Sequence, residues 1–374
     1  MQARFHEAIS ELPASAWDAL NRADNPFLRH AFLSMLETHG CICAETGWQP
    51  LHVSLWQDAE LIGAMPLYVK SHSYGEFVFD WSWAEASHRI GQPYYPKLLA
   101  AVPLTPVVGP RLLIRSDQDL RGPLAEIMKT LTDEHGFSSA HANFVNAEEH
   151  ADWEAAGLLR RSDWQFHWFN NGFSDFQEFL NQLSSKKRKN IRQERARLAE
   201  EGWRFERLKG SEATQGDWQC MYEFYAGTFA RKGNWAVLNR DFFVDLGEQI
   251  PASCVLVFGH HEGEVRAGAL LFQSANTLYG RYWGCNQYSS GLHFETCYYQ
   301  GIEYAIEQGL ACFDPGAQGE HKMARGFVPV ATHSFHYLRD PQLRGAVRHW
   351  LDREQQYHQV RGTELKTHSP YRKE

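Results

Sequence analysis

Apolar and polar positions along the first half of the chain predict a mixture of strands and helices. Leu51–Trp56 and Leu61–Tyr68 alternate as two strands around a polar turn, and Gly75–Trp83 alternates as an aromatic strand. Apolar side chains recur at helical spacing across Asp119–His135, which predicts a helix with a stripe facing the core. This alternation of element types indicates an α/β domain rather than a helical bundle.

The second half repeats a similar order of elements. Ser184–Glu201 predicts a long helix, and three successive strands are predicted between Ser253 and Trp283. A helix at about His293–Gln308 then leads into the short strand Ala311–Phe313. The similar order in the two halves indicates an internal duplication.

The length of the chain supports the same division. Its 374 residues suit two domains at roughly 150 residues each. We place the first domain at residues 1–170 and the second at 171–339. A charged helix at 340–361 is expected to pack back on the first domain, and the polar tail 362–374 is expected to be mobile.

Composition and charge narrow the classes of function. A formal net charge of −8 argues against a protein that coats DNA. The seven cysteines are scattered without a CxxC pair, which predicts reduced thiols, a cytoplasmic location and no metal site. No run of about 18 apolar residues occurs, so we predict no membrane span.

One loop concentrates groups that can carry chemistry. The stretch FDPGAQGEHKMARGF at Phe313–Phe327 follows a short apolar strand. Loops at the carboxyl ends of strands commonly bind ligands in open α/β sheets, and glycine lets backbone approach a ligand closely. A solvated surface connection is the alternative interpretation. The candidate residues of this loop are Gly316, Gln318, Gly319, Glu320, His321, Lys322 and Arg325.

Two further segments offer binding groups. In the predicted helix Ser184–Glu201, Arg188, Arg192 and Arg195 share one face and Lys189 lies nearby, which suits phosphate or an anionic surface. A solvated helix face is the alternative. The proline-rich segment 92–111 suits either a cleft wall or a plain surface connection. Its candidate residues for contacting an acceptor are Tyr94, Tyr95, Lys97 and Arg111.

Four stretches resemble a known family. They are YYPKLLAAVPLTPVVGPRLL (94–113), SSKKRKNIRQERA (184–196), HFETCYYQGIEYAIEQGL (293–310) and FDPGAQGEHKMARGFVP (313–329). The chain resembles the FemAB-like branch of the acyl-CoA N-acyltransferase (GNAT) superfamily, a branch linked to peptidoglycan biosynthesis or recognition. The resemblance implies an α/β fold of two tandem GNAT-like domains with mixed sheets, as in the Fem family.

The resemblance also implies a function. It points to transfer of an acyl or aminoacyl group to an amine of a cell-envelope or small-molecule acceptor, such as a peptidoglycan precursor, by direct attack. The donor is acyl-CoA or aminoacyl-tRNA. Acyl-CoA is then a co-substrate, and no cofactor is held permanently. A recognition module that binds peptidoglycan or lipid without turnover is the alternative. The coiled-coil arm of many Fem proteins and the Gly-rich pyrophosphate loop of acetyl-CoA enzymes are both missing, so the donor stays open.

Site roles follow from the resemblance. Glu295 lies at the start of the helix that borders the cleft in this fold, and we assign it as the leading base, with Glu320 and His321 as rivals. A role in the first turn of the helix, near the dipole, is the alternative for Glu295. Lys322 matches a lysine associated with the transfer step in Fem proteins. Arg325 is assigned to bind phosphate or carboxylate, or to stabilise the oxyanion.

Overall fold

The structure, a computed structural model, describes residues 1–116, 118–317 and 319–372. The chain folds into two compact units. The first unit comprises Met1–Asp163 and Ala331–Arg361, and the second comprises Trp164–Val330 together with the residues from Gly362 onward. The chain therefore returns to the first unit after completing most of the second, and it ends in the second.

The first unit is built on two sheets. One sheet has the strand order β1-β3-β4-β7 and is antiparallel. In the other, β8, β6, β5 and β2 follow one another, with β6 and β8 parallel and the remaining neighbours antiparallel. The strands are β1 (Gln2–His6), β2 (Trp48–Pro50), β3 (His52–Gln57), β4 (Glu60–Met65), β5 (Leu67–Lys70), β6 (Lys97–Ala100), β7 (Leu113–Ile114) and β8 (Ser139–Ala142).

Helices cover these sheets with their apolar stripes. The predicted stripe of α4 is confirmed, since Leu124, Met128 and Leu131 are buried in the core of the unit. The helices are α1 (Ala14–Leu20), α2 (His30–Thr38), α3 (Trp81–Arg89), α4 (Arg121–Glu134) and α5 (His150–Ala155).

The predicted aromatic strand Gly75–Trp83 is wrong. Residues 71–80 form a loop, and Trp81 begins α3. Buried and exposed side chains do alternate here, but the polar ones are inside: the carboxylates Glu76 and Asp80 are buried, while Phe77 and Phe79 are exposed. Alternation indicates which side chains share a face, and here ion pairing rather than apolar packing decides which face is inside.

The second unit is built on six strands that follow one another in the order β10-β11-β12-β13-β14-β9. β10 to β13 form an antiparallel meander, β13 and β14 are parallel, and β14 pairs antiparallel with β9. The strands are β9 (Leu159–Phe169), β10 (Arg204–Lys209), β11 (Cys254–His261), β12 (Glu264–Gln273), β13 (Thr277–Cys285) and β14 (Cys312–Asp314). β9 begins in the first unit and continues into the second.

Helices pack on both the meander and the parallel pair. Thr214 and Asp217 form a capping box at the start of α8. A single π-helical turn, Glu295–Tyr299, separates α10 from α11. The helices are α6 (Phe176–Gln182), α7 (Ser185–Glu200), α8 (Gln215–Arg231), α9 (Arg240–Gln249), α10 (Leu292–Phe294) and α11 (Gln300–Glu307).

Two elements complete the chain after the second unit's sheet. β15 (Val328–Leu338) re-enters the first unit, where its later residues pair antiparallel with β8. α12 (Pro341–Thr367) belongs to the first unit as far as Arg361. Among the described residues, no helix combines the length and the apolar character needed to cross a bilayer.

Candidate functional site

The parallel strands β13 and β14 diverge at their carboxyl ends. Thr277 pairs with Cys312 and Tyr279 pairs with Asp314. β13 then continues to Cys285, whereas β14 ends at Asp314 and is followed by Pro315. Divergence of two parallel strands exposes backbone and opens a space at that end of the sheet. Ligands in open α/β sheets bind at such carboxyl ends.

A bulge in β13 lies at the point of divergence. Leu270 of β12 faces Tyr282 and Leu271 faces Gly280, so Arg281 is the extra residue on β13. Bulges bend a strand and re-aim a side chain, and they are frequent beside active sites.

A small cavity occupies the space between the diverging strands. Its volume is about 70 Å³, which is large enough for one small chemical group. Strands β12 and β13, the helix that follows them and the start of the 315–327 loop supply its walls. The lining residues are Ala269, Leu270, Leu271, Gly280, Arg281, Tyr282, Trp283, His293, Cys297, Tyr298 and Pro315.

A buried ion pair supports the wall of this cavity. The Arg281 guanidinium lies 3.2 Å from Asp314 Oδ2, and the backbone N–H of Gly316 donates to Asp314 Oδ1 at 2.8 Å. Burial alone would raise the pKa of Asp314, but Arg281 and His167 hold that pKa below its usual value. Asp314 therefore stays ionised and fixes both the bulged Arg281 and the turn at Gly316.

Lys322 is buried behind the turn. Its ammonium donates to the carbonyl oxygens of Gly316 at 2.7 Å and Ala317 at 3.2 Å. Burial lowers the pKa of Lys322 to about 8, with Asp314 opposing that shift and Arg281 adding to it. Lys322 thus ties down the backbone of the loop and adds positive charge near Arg281.

The π turn aims a tyrosine at the cavity. An extra residue in one helical turn shifts the phase of the side chains, and such turns are common at functional sites. Tyr298 lines the cavity, and its hydroxyl lies 3.1 Å from His321 Nε2. Burial raises the pKa of Tyr298, so the phenol keeps its proton at neutral pH. Tyr298 and His321 form a pair that can donate and relay a proton.

His293 is a second imidazole in the cavity wall. Its ring lies 4.6 Å from the Trp283 ring, measured between centroids. Burial together with His321 and Arg325 lowers the pKa of His293 to about 4. At neutral pH this imidazole is uncharged and can accept a hydrogen bond from an incoming amine.

Glu295, which we assigned as the base, is engaged elsewhere. Its carboxylate accepts hydrogen bonds from Arg195 Nε at 3.1 Å and from Gln300 at 2.8 Å, and it does not line the cavity. Arg195 also pairs with Glu303 at 3.0 Å. Burial raises the pKa of Glu295, while Arg195 opposes the rise. Glu295 is therefore part of an ion cluster that joins α7 to the π turn and to α11.

Gly319, Glu320 and Arg325 lie outside the cavity wall. Arg325 donates to Glu194 at 2.8 Å and to the carbonyl of His321, and its guanidinium stacks 3.2 Å from the Phe294 ring centre. This side chain is therefore a structural clamp rather than a free anion-binding group. Glu320 is exposed and Gly319 adopts a left-handed conformation at the start of a short 3-10 helix. Gln318 lies outside the described residues.

The basic face of α7 is only partly available. Arg192 and Lys189 are exposed, Arg188 is half-buried, and Arg195 is committed to its two glutamates. Arg192 and Arg195 line an open groove with Phe176. The structure therefore brings Arg192 and Arg195 together but does not bring them to the cavity between β13 and β14.

Three of the four first-unit candidates are buried rather than exposed in a cleft wall. Lys97 and Arg111 are fully buried and Tyr94 is nearly so, so the predicted contact of these residues with an acceptor is not available at the surface. Arg111 donates to the carbonyls of Val107 at 2.6 Å and Asn143 at 2.9 Å. The hydroxyl of Tyr94 donates to Asp80. These contacts hold the proline-rich segment against the sheet.

Tyr95 has a different environment from the other first-unit candidates. It is half-buried, and its hydroxyl is 2.9 Å from Ser73 Oγ. Of the first-unit candidates, only Tyr95 therefore reaches solvent. Within the described ranges, no three histidine, cysteine or acidic side chains gather as a metal site would require.

Several cavity residues were not assigned from sequence. Arg281, Cys297 and Tyr298 carry no local motif, and their convergence depends on a bulge and a π turn. The two tyrosines Tyr298 and Tyr299 were visible in the sequence. Only the phase set by the π turn determines that Tyr298 is the one at the cavity.

Comparison with known proteins identifies the family. The model of the FemAB-like family, described as peptidoglycan biosynthesis/recognition, matches residues 8–373. The chain belongs to this family, which confirms the resemblance seen in its sequence. No curated protein sequence matches the chain.

Solved structures share the fold at low sequence identity. FemX has a TM-score of 0.55 at 13% identity, covering 93% of this chain and 100% of FemX. The C-terminal domain of a putative lysylphosphatidylglycerol synthetase from Agrobacterium fabrum has a TM-score of 0.55 at 10% identity, covering 90% of this chain and 93% of that domain. The predicted fold of two GNAT-like domains with mixed sheets is confirmed.

Proposed function

We propose that this chain transfers an acyl or aminoacyl group from an activated donor to an amine of a cell-envelope or small-molecule acceptor. The observation that carries the proposal is the cavity where β13 and β14 diverge, with the Tyr298–His321 pair in and beside its wall. A cavity of this size accepts the carbonyl end of a donor. The family description and the FemX likeness support a cell-envelope acceptor such as a peptidoglycan precursor.

The reaction we propose is a direct displacement. The acceptor nitrogen attacks the acyl carbonyl, a C–N bond forms, and the C–S bond of a thioester or the C–O bond of an aminoacyl ester breaks. The attacking nitrogen loses one proton and the leaving sulfur or oxygen gains one. Tyr298 donates the proton to the leaving group, and His321 restores the tyrosine by passing on a proton from the amine.

Charge at the cavity supports the developing oxyanion. Arg281 lies in the wall, and Lys322 adds a second positive charge behind the turn at Gly316. Fixed cations in a water-poor site lower the barrier because they need no reorganisation during the reaction. Lys322 acts as a positioning residue, since its ammonium is bonded to backbone carbonyls.

Acyl-CoA and aminoacyl-tRNA are the two donor classes that we propose. Neither is a permanently bound cofactor; each is consumed as a co-substrate. Both occur in the cytoplasm, where we place the reaction, and the seven free cysteines suit that reducing compartment. The likeness to a putative lysylphosphatidylglycerol synthetase favours testing aminoacyl donors alongside CoA thioesters.

A transfer assay tests this proposal. The purified chain is incubated with acyl-CoA thioesters or charged tRNAs and with amine-bearing peptidoglycan precursors, and N-acylated product is measured by mass spectrometry. Tyr298→Phe should slow transfer by about 100-fold or more, the usual range for loss of a proton donor. Tyr304→Phe is the matched control, because Tyr304 lies in α11, directly after the π turn that carries Tyr298. Its hydroxyl donates to Gln273 at the end of β12 and does not line the cavity.

The outcomes separate transfer from recognition. Product formation that depends on Tyr298 supports the proposal. Transfer by Tyr298→Phe at the rate of the unmodified chain would contradict the assigned site. Binding of peptidoglycan fragments with no product from either donor class would make the chain a recognition module instead.

A further inference from the structure

The loop from Tyr74 to Trp81 in the first unit is inverted relative to ordinary surface loops. Its four aromatic side chains are exposed, whereas its two carboxylates are buried. Tyr74 is 68% exposed, Phe77 38%, Phe79 53% and Trp81 41%, while Glu76 and Asp80 are 4% and 2% exposed. Large exposed aromatic groups concentrated in eight residues mark an interaction surface. We call Tyr74–Trp81 the aromatic loop.

A buried ion cluster holds the aromatic loop in this arrangement. Lys97 Nζ donates to Glu76 Oε2 at 2.8 Å and also to Asp80. Tyr94 donates its hydroxyl proton to Asp80 at 2.6 Å. The carboxylates therefore anchor the loop from inside, and its aromatic side chains cannot turn inward without breaking these pairs.

The backbone of the loop is strained by this display. Phe77 has a φ of 59°, a left-handed conformation that is unfavourable for a bulky residue. Strained residues persist only where surrounding contacts enforce them, and they concentrate at functional positions. The two ends of the loop meet, since the Tyr74 and Trp81 rings lie 4.9 Å apart. The loop therefore closes on itself, with Tyr74 and Trp81 together at its two ends and the exposed Phe77 and Phe79 between them.

Charge around the aromatic loop selects the kind of partner. Between Ser71 and Gly91 the only acidic or arginine side chains outside the buried cluster are Glu85 and Arg89, which pair with each other at 2.6 Å. Arg161 donates to the carbonyl of Phe79, and its charge is matched by Glu354. These groups are therefore paired, and Asp163, which lines a small pocket with Phe77 and Phe79, adds one exposed carboxylate beside the loop. The face is thus nearly neutral, although the chain as a whole carries −8.

We propose that the aromatic loop is an interfacial anchor that enters the headgroup region of a phospholipid bilayer without spanning it. Tyrosine and tryptophan favour the bilayer interface, and phenylalanine adds apolar area that the acyl boundary can bury. Withdrawal of both carboxylates into the interior removes the charges that would oppose insertion. This inference does not depend on the transfer reaction.

The low net charge beside the loop predicts how binding responds to salt. Insertion of aromatic groups is driven by apolar burial, so it is insensitive to ionic strength and does not require anionic lipid. Adsorption through the basic residues of α7 would show the opposite behaviour, because attraction to anionic headgroups is screened by salt. The two modes are therefore distinguishable in one experiment.

Vesicle co-sedimentation of the full chain tests the proposal. Vesicles of phosphatidylcholine alone, and of phosphatidylcholine and phosphatidylglycerol in equal parts, are compared at low and high salt. The triple variant Tyr74→Ser, Phe79→Ser, Trp81→Ser should bind at least about tenfold more weakly to both vesicle types. The matched control is Trp235→Ser with Tyr288→Ser, which removes two highly exposed aromatic groups from the second unit.

Three results would overturn the proposal. One is no binding of the unmodified chain to either vesicle type. Another is binding that needs phosphatidylglycerol and disappears in salt, which would assign membrane contact to basic residues. The third is sedimentation velocity showing a dimer that the triple variant converts to monomer, which would make the aromatic loop a contact between copies. Urea unfolding of both variants verifies that each is folded.

Discussion

Lys97 of the first unit and Lys322 of the second are both buried, but their environments are opposite. Lys97 is fully buried in the first unit and contacts the carboxylates of Glu76 and Asp80. Lys322 is 2% exposed in the second unit, and its hydrogen bonds go to backbone carbonyls. Burial alone would lower the pKa of both, but the two carboxylates raise that of Lys97, whereas that of Lys322 falls to about 8.

The difference separates a lysine that stays protonated at every pH near neutrality from one whose protonation changes close to neutral pH. Lys97 is locked as a cation in a structural cluster, and it anchors the aromatic loop. Lys322 is a cation poorly compensated by its surroundings, beside the cavity that we propose as the donor site. Poorly compensated buried charges are typical of functional sites, whereas well-paired ones are typical of the framework.

Removal of Lys97 should have the largest effect on stability. Lys97→Met removes the cation that bonds both Glu76 and Asp80, which costs about 3–5 kcal/mol in the free energy of unfolding. Urea denaturation measures this loss. Lys129→Met, at a partly exposed position paired with Glu126, is the control and should change stability by less than about 1 kcal/mol. Equal stability of the two variants would contradict the claim that Lys97 is a structural cation.

Removal of Lys322 should mainly affect transfer. Lys322→Met keeps most of the side-chain volume but loosens the turn at Gly316 and removes positive charge near Arg281. We expect transfer to fall by about 100-fold, with a loss of only about 1–2 kcal/mol in stability. Single-turnover rates and urea unfolding on the same preparation separate the two effects. Unaltered transfer would show that Lys322 belongs to the framework, as Lys97 does.

Glu76 should make stability depend on pH. Burial and Asp80 raise its pKa to about 7 against the opposing effect of Lys97. A raised folded-state pKa means that the folded chain holds a proton which the unfolded chain releases near pH 4.5. Stability from this group is complete below that pH and is lost as pH rises through the folded-state pKa, by about 3 kcal/mol.

Unfolding midpoints at about pH 4.5 and about pH 7.5 check this dependence. Glu76→Gln, which cannot ionise, should show a smaller decline over the same range than the unmodified chain. An identical decline in both would mean that other groups, such as Glu149 with its own raised pKa, account for it.

The duplicated fold and the family could be predicted because they depend on the order of elements and on four recognisable stretches. The aromatic strand at Gly75–Trp83 could not, since pairing of Glu76 and Asp80 with Lys97 reversed the usual meaning of alternation. Ion pairs between segments distant in sequence leave no local pattern. The segment was therefore assigned to the wrong element for a specific physical reason.

The site was predictable only at the level of its loop. Lys322 lies beside the cavity as a glycine-rich loop suggested, but Glu295 is committed to Arg195 across 100 positions in the sequence. Arg281 and Tyr298 reach the cavity through a bulge and a π turn, which change the phase of side chains by one residue. No periodicity in a single sequence predicts such a change of phase.

The central claim is that the donor's acyl group is held where β13 and β14 diverge. Amide hydrogen exchange of the full chain, with and without the donor that supports transfer, tests it most directly. The account predicts slower exchange at Gly280–Trp283 and Glu295–Tyr299 when donor is bound, and unchanged exchange at Ser139–Ala142 of the first unit's parallel pair. Slower exchange confined to the first unit, with none at Gly280–Trp283, would contradict it.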